Sequence, residues 1–223
     1  MGFILIDKPA GITSFGVIAR LRKITGIKKI GHAGTLDPFA TGLLIVAISR
    51  EATRKIDQYV KLDKEYEALI DLSEITDTYD KDGKTIFEYK GEPIKKKKIK
   101  KVLKSFVGKQ KQVPPMFSAK KIGGKKLYEL ARKGQEIERQ ANDIEIYNIK
   151  ILKHKWPLAK IRVKVSSGTY IRSLAYDIGR NLGTGGYLKE LRRIQIGKFG
   201  VKKAYKIEKI NKDNWQKHLL KNV

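Results

Sequence analysis

Apolar residues in this chain recur at two spacings, and the order in which the spacings follow one another restricts the fold. Val17, Ile18, Leu21 and Ile24 share one face at helical spacing, behind Thr13 and Ser14, either of which can cap a helix, and ahead of Gly26, which can end one. Phe3 to Ile6 and Leu43 to Ile48 are short continuous apolar runs, the pattern of buried strands. Tyr66, Ala68, Ile70 and Leu72 alternate as a half-buried strand. A helix is expected over Glu51 to Val60, with Ile56, Tyr59 and Val60 inward, and another with Ile99, Val102, Leu103 and Phe106 on one face. Further on, the pattern predicts a short helix at Leu127 to Arg132, a strand pair at Ile144 to Leu152 and Leu158 to Val165, a helix at Tyr170 to Leu182, and a strand at Leu188 to Ile196 whose start could instead be helical. Turns fall at Asp7 to Gly11, at Tyr79 to Gly83 ahead of a strand over Thr85 to Tyr89, and at Pro114-Pro115. Strands and helices mix without a regular βαβ rhythm, so the expected class is α+β rather than a doubly wound parallel sheet. The 223 residues suit one domain with a sizeable core or two small ones, with no internal repeat and no clear linker. Residues 199–223 read as a short basic tail with one last helix.

Charge narrows the partners. Forty-nine Lys and Arg against 23 Asp and Glu give a net +26. Phosphate backbones are the usual partners of such a surface, because each neutralised phosphate releases counterions. A Lys-rich surface also serves solubility alone. There is no Cys, so disulfides, thiol catalysis and thiolate metal sites are excluded. His32, His154 and His218 lie far apart and fit no metal-ligand motif. No apolar run approaches the roughly 18 residues of a membrane span. The opening residues turn polar too soon for a signal peptide. A soluble cytoplasmic protein is expected.

Four constellations carry chemistry. Asp37 sits in the glycine-rich stretch Gly31 to Gly42 and is the only acid between Lys8 and Arg50, a window that also holds Arg20, Arg22, Lys23, Lys28 and Lys29. One carboxylate opposes polyanion binding there, which favours a chemical role, although Asp-Pro after glycines is also an ordinary turn. No second acid is nearby for a two-carboxylate hydrolase, and the window is short of oxygen ligands for magnesium. In Ser167-Gly168-Thr169-Tyr170-Ile171-Arg172, Gly168 allows a tight turn that puts Tyr170 and Arg172 at a helix start. Arg172 could then pair with Asp37, or bind phosphate, or lie on the surface. Tyr66 either packs in the core or stacks on a base. The run Lys95 to Lys104 reads as a solvated helix face, with auxiliary RNA contact as the alternative. Arg192-Arg193 and Lys120-Lys121 with Lys125-Lys126 lie closer to the other candidate residues. Gly31-x-x-Gly34 and Gly123-Gly124 are not followed by Lys-Ser/Thr, so nucleotide binding has no support.

These segments together resemble the TruB-type tRNA pseudouridine synthases. Gly31-His32-Ala33-Gly34-Thr35-Leu36-Asp37-Pro38 with Ala40-Thr41-Gly42 is similar to the family's catalytic motif, and Asp7-Lys8-Pro9 to its N-terminal motif. Lys64-x-Tyr66 and Thr76-Asp77-Thr78-Tyr79-Asp80 resemble the second motif, and Gln112 to Ala119 the segment leading into an RNA-gripping thumb. Gly168 to Arg172 and Leu191-Arg192-Arg193 resemble the C-terminal motifs. The likeness runs in order over about residues 2–198. Where the family often has Gly after the strand leucine, this chain reads Leu72-Ser73.

The resemblance implies a mixed, mostly antiparallel sheet flanked by helices around a central catalytic cleft. It implies a catalytic domain at 1–198 with a thumb-like segment at about 112–140, then the tail at 199–223 and no C-terminal PUA-type RNA-binding domain. The implied reaction isomerises uridine to pseudouridine, at uridine-55 in the tRNA T-loop, after the base is flipped out of its stack at a cost of roughly a few kcal/mol. Asp37 would be the catalytic carboxylate, Arg172 its ion-pair partner, and Tyr66 a ring that stacks on the uracil and helps remove the C5 proton. His32 would fill the RNA loop as the base leaves. Tyr170 and Leu191 would line the uridine pocket, and Lys8 and Arg193 would join the substrate contacts. No cofactor, metal, membrane or protein partner is implied, and a monomer is expected. The alternative function is a non-catalytic RNA-binding or RNA-folding protein on the same scaffold.

Overall fold

The computed structural model describes residues 2–118, 121–122, 125–126 and 137–220, with backbone alone at 121–122 and 125–126. In chain order the elements are β1 (Phe3–Lys8), α1 (Ser14–Thr25), β2 (Ile30–His32), β3 (Thr41–Ile48), α2 (Arg50–Arg54), α3 (Asp57–Val60), β4 (Lys64–Asp71), β5 (Glu74–Thr76), β6 (Thr85–Glu88), α4 (Lys96–Ser105) and β7 (Gly108–Gln112). There follow β8 (Lys121–Ile122), β9 (Lys125–Lys126), β10 (Asn142–Lys155), β11 (Leu158–Val165), α5 (Ile171–Leu182), β12 (Tyr187–Ile196), β13 (Phe199–Gly200) and β14 (Tyr205–Lys206). This is the expected α+β mixture. The chain forms two compact units, Met1–Glu67 with Leu191–Val223, and Ala68–Glu190. Among the described residues no helix is long and apolar enough to cross a membrane.

In the first unit β14, β1, β3 and β12 are adjacent in that order. β1 runs antiparallel to β3 from Phe3 opposite Ala47 to Lys8 opposite Gly42, and β12 joins β3 in parallel, Arg193 opposite Gly42. β3 is covered on both faces, which is why Leu43 to Ile48 reads as an unbroken apolar run. On one face Leu44, Val46 and Ile48 meet Val17, Ile18 and Leu21 of α1, the face that the helical spacing predicts. On the other, Leu43, Ile45 and Ala47 meet Phe3, Tyr59 and Ile196, with the Phe3 and Tyr59 rings 4.4 Å apart. Gly42 has φ +104°, and a Cβ there would lie 2.2 Å from the Arg193 carbonyl oxygen, so the β3–β12 approach requires glycine.

Two expectations in this unit change. The helix over Glu51 to Val60 is two short ones, because Lys55 and Ile56 donate to Ala52 and Thr53 in tight three-residue turns that end the first. The last helix of 199–223 is instead a set of 3₁₀ turns. Asn211 Oδ1 accepts from the Asp213 and Asn214 amides, both at 3.0 Å, offering the backbone a turn in place of a helix. Ile207, Ile210 and Trp215 from this stretch pack in the same cluster as α1.

In the second unit β11, β10 and β7 are adjacent and antiparallel. Ile144, Ile146, Ile161, Val163 and Val165 are buried, and α4 packs against β10 and α5. The lysines of α4 are exposed, the solvated-face reading. Lys98 reaches the C-terminal carbonyl of α5 at Leu182 (3.2 Å), where a cation meets the negative end of the helix dipole. The expected helix at Leu127 to Arg132, most of the thumb-like segment, Ala119, Lys120 and the side chains of Lys121, Lys125 and Lys126 lie outside the described residues.

Candidate active site

The backbone on either side of Asp37 is fixed by side chains from β1, α1 and β12. Thr13 caps α1 by accepting the Gly16 amide at 2.8 Å. That leaves Ser14 to bond outside the helix, and its Oγ accepts the Leu36 amide (2.9 Å) and donates to the Leu36 carbonyl (3.1 Å). Beyond Asp37, the Pro38 carbonyl accepts from the Gly11 amide (2.9 Å) and from Lys8 Nζ (3.2 Å). The Ala40 amide closes the turn on the Asp37 carbonyl at 3.1 Å. Leu36, Phe39 and Ala40 are buried and anchor the turn, while Asp37 is half-buried. Arg193 holds the two ends of the loop with one guanidinium, donating to the Gly34 carbonyl (3.0 Å) and the Leu43 carbonyl (2.8 Å).

This scaffold is unusually cationic inside. Lys8 is 0% exposed, Arg193 1% and Lys64 6%. Lys8 Nζ also donates to the carbonyls of Pro9 (2.9 Å) and Ile12 (2.7 Å). Burial lowers the Lys8 pKa to about 8; the Asp37 carboxylate pulls it upward and Arg193 pushes it down. Burial likewise lowers Lys64 to about 8, helped by Arg193 and opposed by Asp63. His32 is lowered by burial and then by Arg193, so its ring is neutral near pH 7, and its Nδ1 has no hydrogen-bond partner among the described residues. Asp7 and Arg192 form a two-pronged pair at 3.0 and 2.7 Å. Tyr66 lies on β4 on the same face as Lys64, and Tyr66 and Leu191 are both 7% exposed.

In the second unit, Tyr170 caps the start of α5 through an amide clamp. Its N–H donates to Gln112 Oε1 (2.8 Å), and Gln112 Nε2 donates to its carbonyl (3.0 Å). Ser173 ties the same helix end to the Val113 carbonyl at 2.9 Å. Arg172 is buried, and its Nη1 meets Asp80 Oδ2 at 3.2 Å. Nη1 also donates to the Thr78 carbonyl (3.2 Å) and Nη2 to the Phe117 carbonyl (2.6 Å). The loop that brings Asp80 is pinned to α5 by the stacked rings of Tyr79 and Tyr176, 4.2 Å apart. Tyr79 has φ +59°, a strained value for a non-glycine residue.

Asp37, Lys8, His32, Tyr66, Leu191 and Arg193 thus belong to the first unit, and Tyr170 and Arg172 to the second. Two contributors escape sequence reasoning. Ser14 is legible only as one of two caps; what sets it apart is that Thr13 takes the cap. Asp80 reads as a turn acid, and its buried partner is 92 residues away. Among the described residues no group of three or more His, Cys, Asp or Glu could hold a metal ion.

Comparison with known proteins bears on this arrangement. The model of the TruB family pseudouridylate synthase N-terminal domain matches residues 22–171, and that of the tRNA pseudouridylate synthase B C-terminal domain matches residues 172–223. The tRNA pseudouridine synthase B of Chlamydia felis (strain Fe/C-56) is 49% identical over 200 residues, covering 90% of this chain and 84% of the relative. That of Clostridium novyi (strain NT) is 47% identical over 219 residues, covering 98% and 75%. Among solved structures, a chain of a Cbf5-Nop10-Gar1 complex is similar with a TM-score of 0.72 and 33% identity, over 93% of this chain and 52% of that one. A chain of an H/ACA RNP bound to a substrate RNA containing 2'-deoxyuridine gives a TM-score of 0.71 at 29% identity, over 99% and 56%. The present chain spans about half the length of those structural relatives.

Proposed function

The chain belongs to the TruB family of pseudouridylate synthases, and from that premise we propose that it isomerises uridine to pseudouridine in tRNA, at uridine-55 of the T-loop, with Asp37 as the catalytic carboxylate. The observation that carries the role of Asp37 is the immobilised loop: Ser14 on the residue before it, Lys8 and Gly11 on the residue after it, and Arg193 at both ends. A carboxylate held at one place by groups that do not themselves react is preorganised for chemistry on a bound sugar.

The reaction breaks the N1–C1′ bond, turns the uracil, joins C5 to C1′, and moves one proton from C5 to solvent while N1 gains one. No electrons are gained or lost, so no redox cofactor is called for. An ionised Asp37 serves this either by adding to C1′ or by taking a proton from the ribose. Arg172, oriented by Asp80, is its ion-pair partner in this reading. Tyr66 stacks on the uracil and assists at C5, while Tyr170 and Leu191 line the pocket. The neutral His32 fills the space that the flipped base vacates in the RNA loop. Lys8 and Arg193, expected among the substrate contacts, are buried, and in this reading they act on the substrate only through the loop whose carbonyls they hold. A monomer in the cytoplasm suffices, and the +26 charge supplies affinity that falls steeply with salt.

The experiment is tritium release from unmodified tRNA labelled with [5-³H]uridine. Wild type should release tritium, and Asp37→Asn should release none while still binding tRNA. Full release by Asp37→Asn would remove the carboxylate from the mechanism. Release mapped to a site other than uridine-55 would overturn the assignment of position alone.

A further inference from the structure

Helix α1 carries a feature that the reaction above does not use. Phe15 is 63% exposed, although burying such a side chain is worth about 1.5–3 kcal/mol. Several of its neighbours on the helix are employed: Ser14 grips Leu36, and Val17, Ile18 and Leu21 fill the core. Arg22, seven residues on and therefore on the same face, holds its guanidinium carbon 5.4 Å from the Phe15 ring centroid. Arg22 Nε is shielded and has no hydrogen-bond partner among the described residues. Arg20 reaches Glu208 only at 3.9 Å, across an exposed gap.

The electrostatic setting is one-sided. The first turn of α1 holds no acid, although the positive end of a helix dipole favours one. Asp37 is the only acid from Lys8 to Arg50. An anion approaching this face meets Arg22 and Lys23, with Glu208 set against Arg20 of the same helix, and the first residue of the face is adjacent to the one that fixes the Asp37 loop.

We propose that Phe15 and Arg22 form an RNA-docking platform, on which the Phe15 ring takes the face of an unpaired base of the substrate and Arg22 a neighbouring phosphate. The inference rests on the RNA-substrate reading above. An aromatic ring beside a guanidinium suits this use, because every base has a π face and the cation both steadies the ring and meets the backbone. Protein partners of the same size favour larger apolar patches, whereas here one ring stands among cations.

The test measures Kd for an unmodified tRNA transcript by fluorescence anisotropy over a range of salt, with wild-type tritium release on the same transcript as a separate check of the function. Phe15→Ala should weaken binding about 5- to 100-fold with an unchanged salt slope, since stacking releases no counterions. Phe15→Tyr should bind as wild type does. Arg22→Ala should lower the magnitude of the salt slope by about one. Phe15 is largely outside the core, so Phe15→Ala should unfold at the wild-type temperature. A wild-type Kd for Phe15→Ala, with active wild-type enzyme in hand, overturns the platform and leaves the synthase reading standing. No tritium release by wild type would fail the synthase reading instead.

Discussion

Removing Asp80 should unseat Arg172, and the cost can be worked from the contacts. The two side chains are 8% and 6% exposed and meet at 3.2 Å. Breaking a buried pair from one side typically costs about 3–5 kcal/mol, because the remaining charge stays desolvated. Arg172 keeps the Thr78 and Phe117 carbonyls, so Asp80→Ala belongs at the lower end, about 3 kcal/mol. For a chain of this length that is a fall of roughly 6–12 °C in Tm. Part of the loss comes from Asp80 Oδ1, which accepts the Thr78 hydroxyl (2.7 Å) and the Asp82 amide (3.1 Å). Asp80→Asn retains an acceptor for those two donors and loses only the charge. The assay is urea unfolding of Asp80→Ala, Arg172→Met and the double variant, read by circular dichroism with the slope m checked for constancy. The double variant should be less destabilised than the sum of the singles by about 1 kcal/mol or more, since the second deletion removes the stranded partner. Additivity within about 0.5 kcal/mol would refute the coupling and with it the claim that Asp80 orients Arg172. In single-turnover tritium release, Asp80→Asn should slow the chemical step while its tRNA Kd holds, because the pair sets the aim of a guanidinium rather than the contact with phosphate.

Two further outcomes follow from the loop and its cations. Ser14→Ala leaves both backbone groups of buried Leu36 without their hydroxyl partner, which should cost about 1–3 kcal/mol in urea unfolding and lower kcat with KM unchanged; a wild-type kcat in that variant would count against Ser14 as a positioning residue. Stability should also rise as pH goes from about 8 toward 10. Lys8 and Lys64 have folded values of about 8 against an ordinary 10.5, so in that window the unfolded chain binds more protons and deprotonation favours the fold. Tyr79, pushed up to about 12 from 10 by burial and by Tyr176, reverses the trend above pH 10, where the unfolded chain loses its proton first. Lys64→Met should flatten the rise measured by urea midpoints, and a wild-type profile flat from pH 8 to 10 would contradict the buried-ammonium account.

Elements set by a local apolar pattern or by an adjoining turn or cap were legible in the sequence. α1 occupies Ser14–Thr25 because Thr13 caps it and Gly26, at φ +72°, ends it, both local events. β3 was legible because a strand covered on both faces needs no alternation. The exposed strand β6 was legible from the turn before it. Some of what was missed depends on partners far along the chain, and some on local side chains that compete with the helix. β7, with Lys109 and Lys111 exposed, has little apolar signal of its own and is a strand because β10 is beside it. Asp80 is a turn acid until Arg172 arrives. The helix expected in the tail gave way to Asn211 and Asn214, whose side chains compete for the same amides.

The cations show why the residues at the site are harder to read than the elements. Composition says that Lys and Arg cover surfaces, and for α4 that is correct. Lys8, Lys64 and Arg193 break the rule, and for two of them the reason is the loop. A glycine-rich loop that turns sharply exposes carbonyls which its own backbone cannot pair, and Lys8 and Arg193 supply the donors at Pro38, Gly34 and Leu43. The desolvation that this burial demands appears in the lowered pKa of Lys8, and the carboxylate of Asp37 offsets it in part. One acid in a basic window therefore has two consequences at once. It is the reacting group of the proposed mechanism, and its charge raises the pKa of the ammonium that holds its own loop. Replacing Asp37 by Asn should then lower the Lys8 pKa further, and the pH at which the loop loses its ammonium should move down with it, a shift readable in the urea midpoint of that variant.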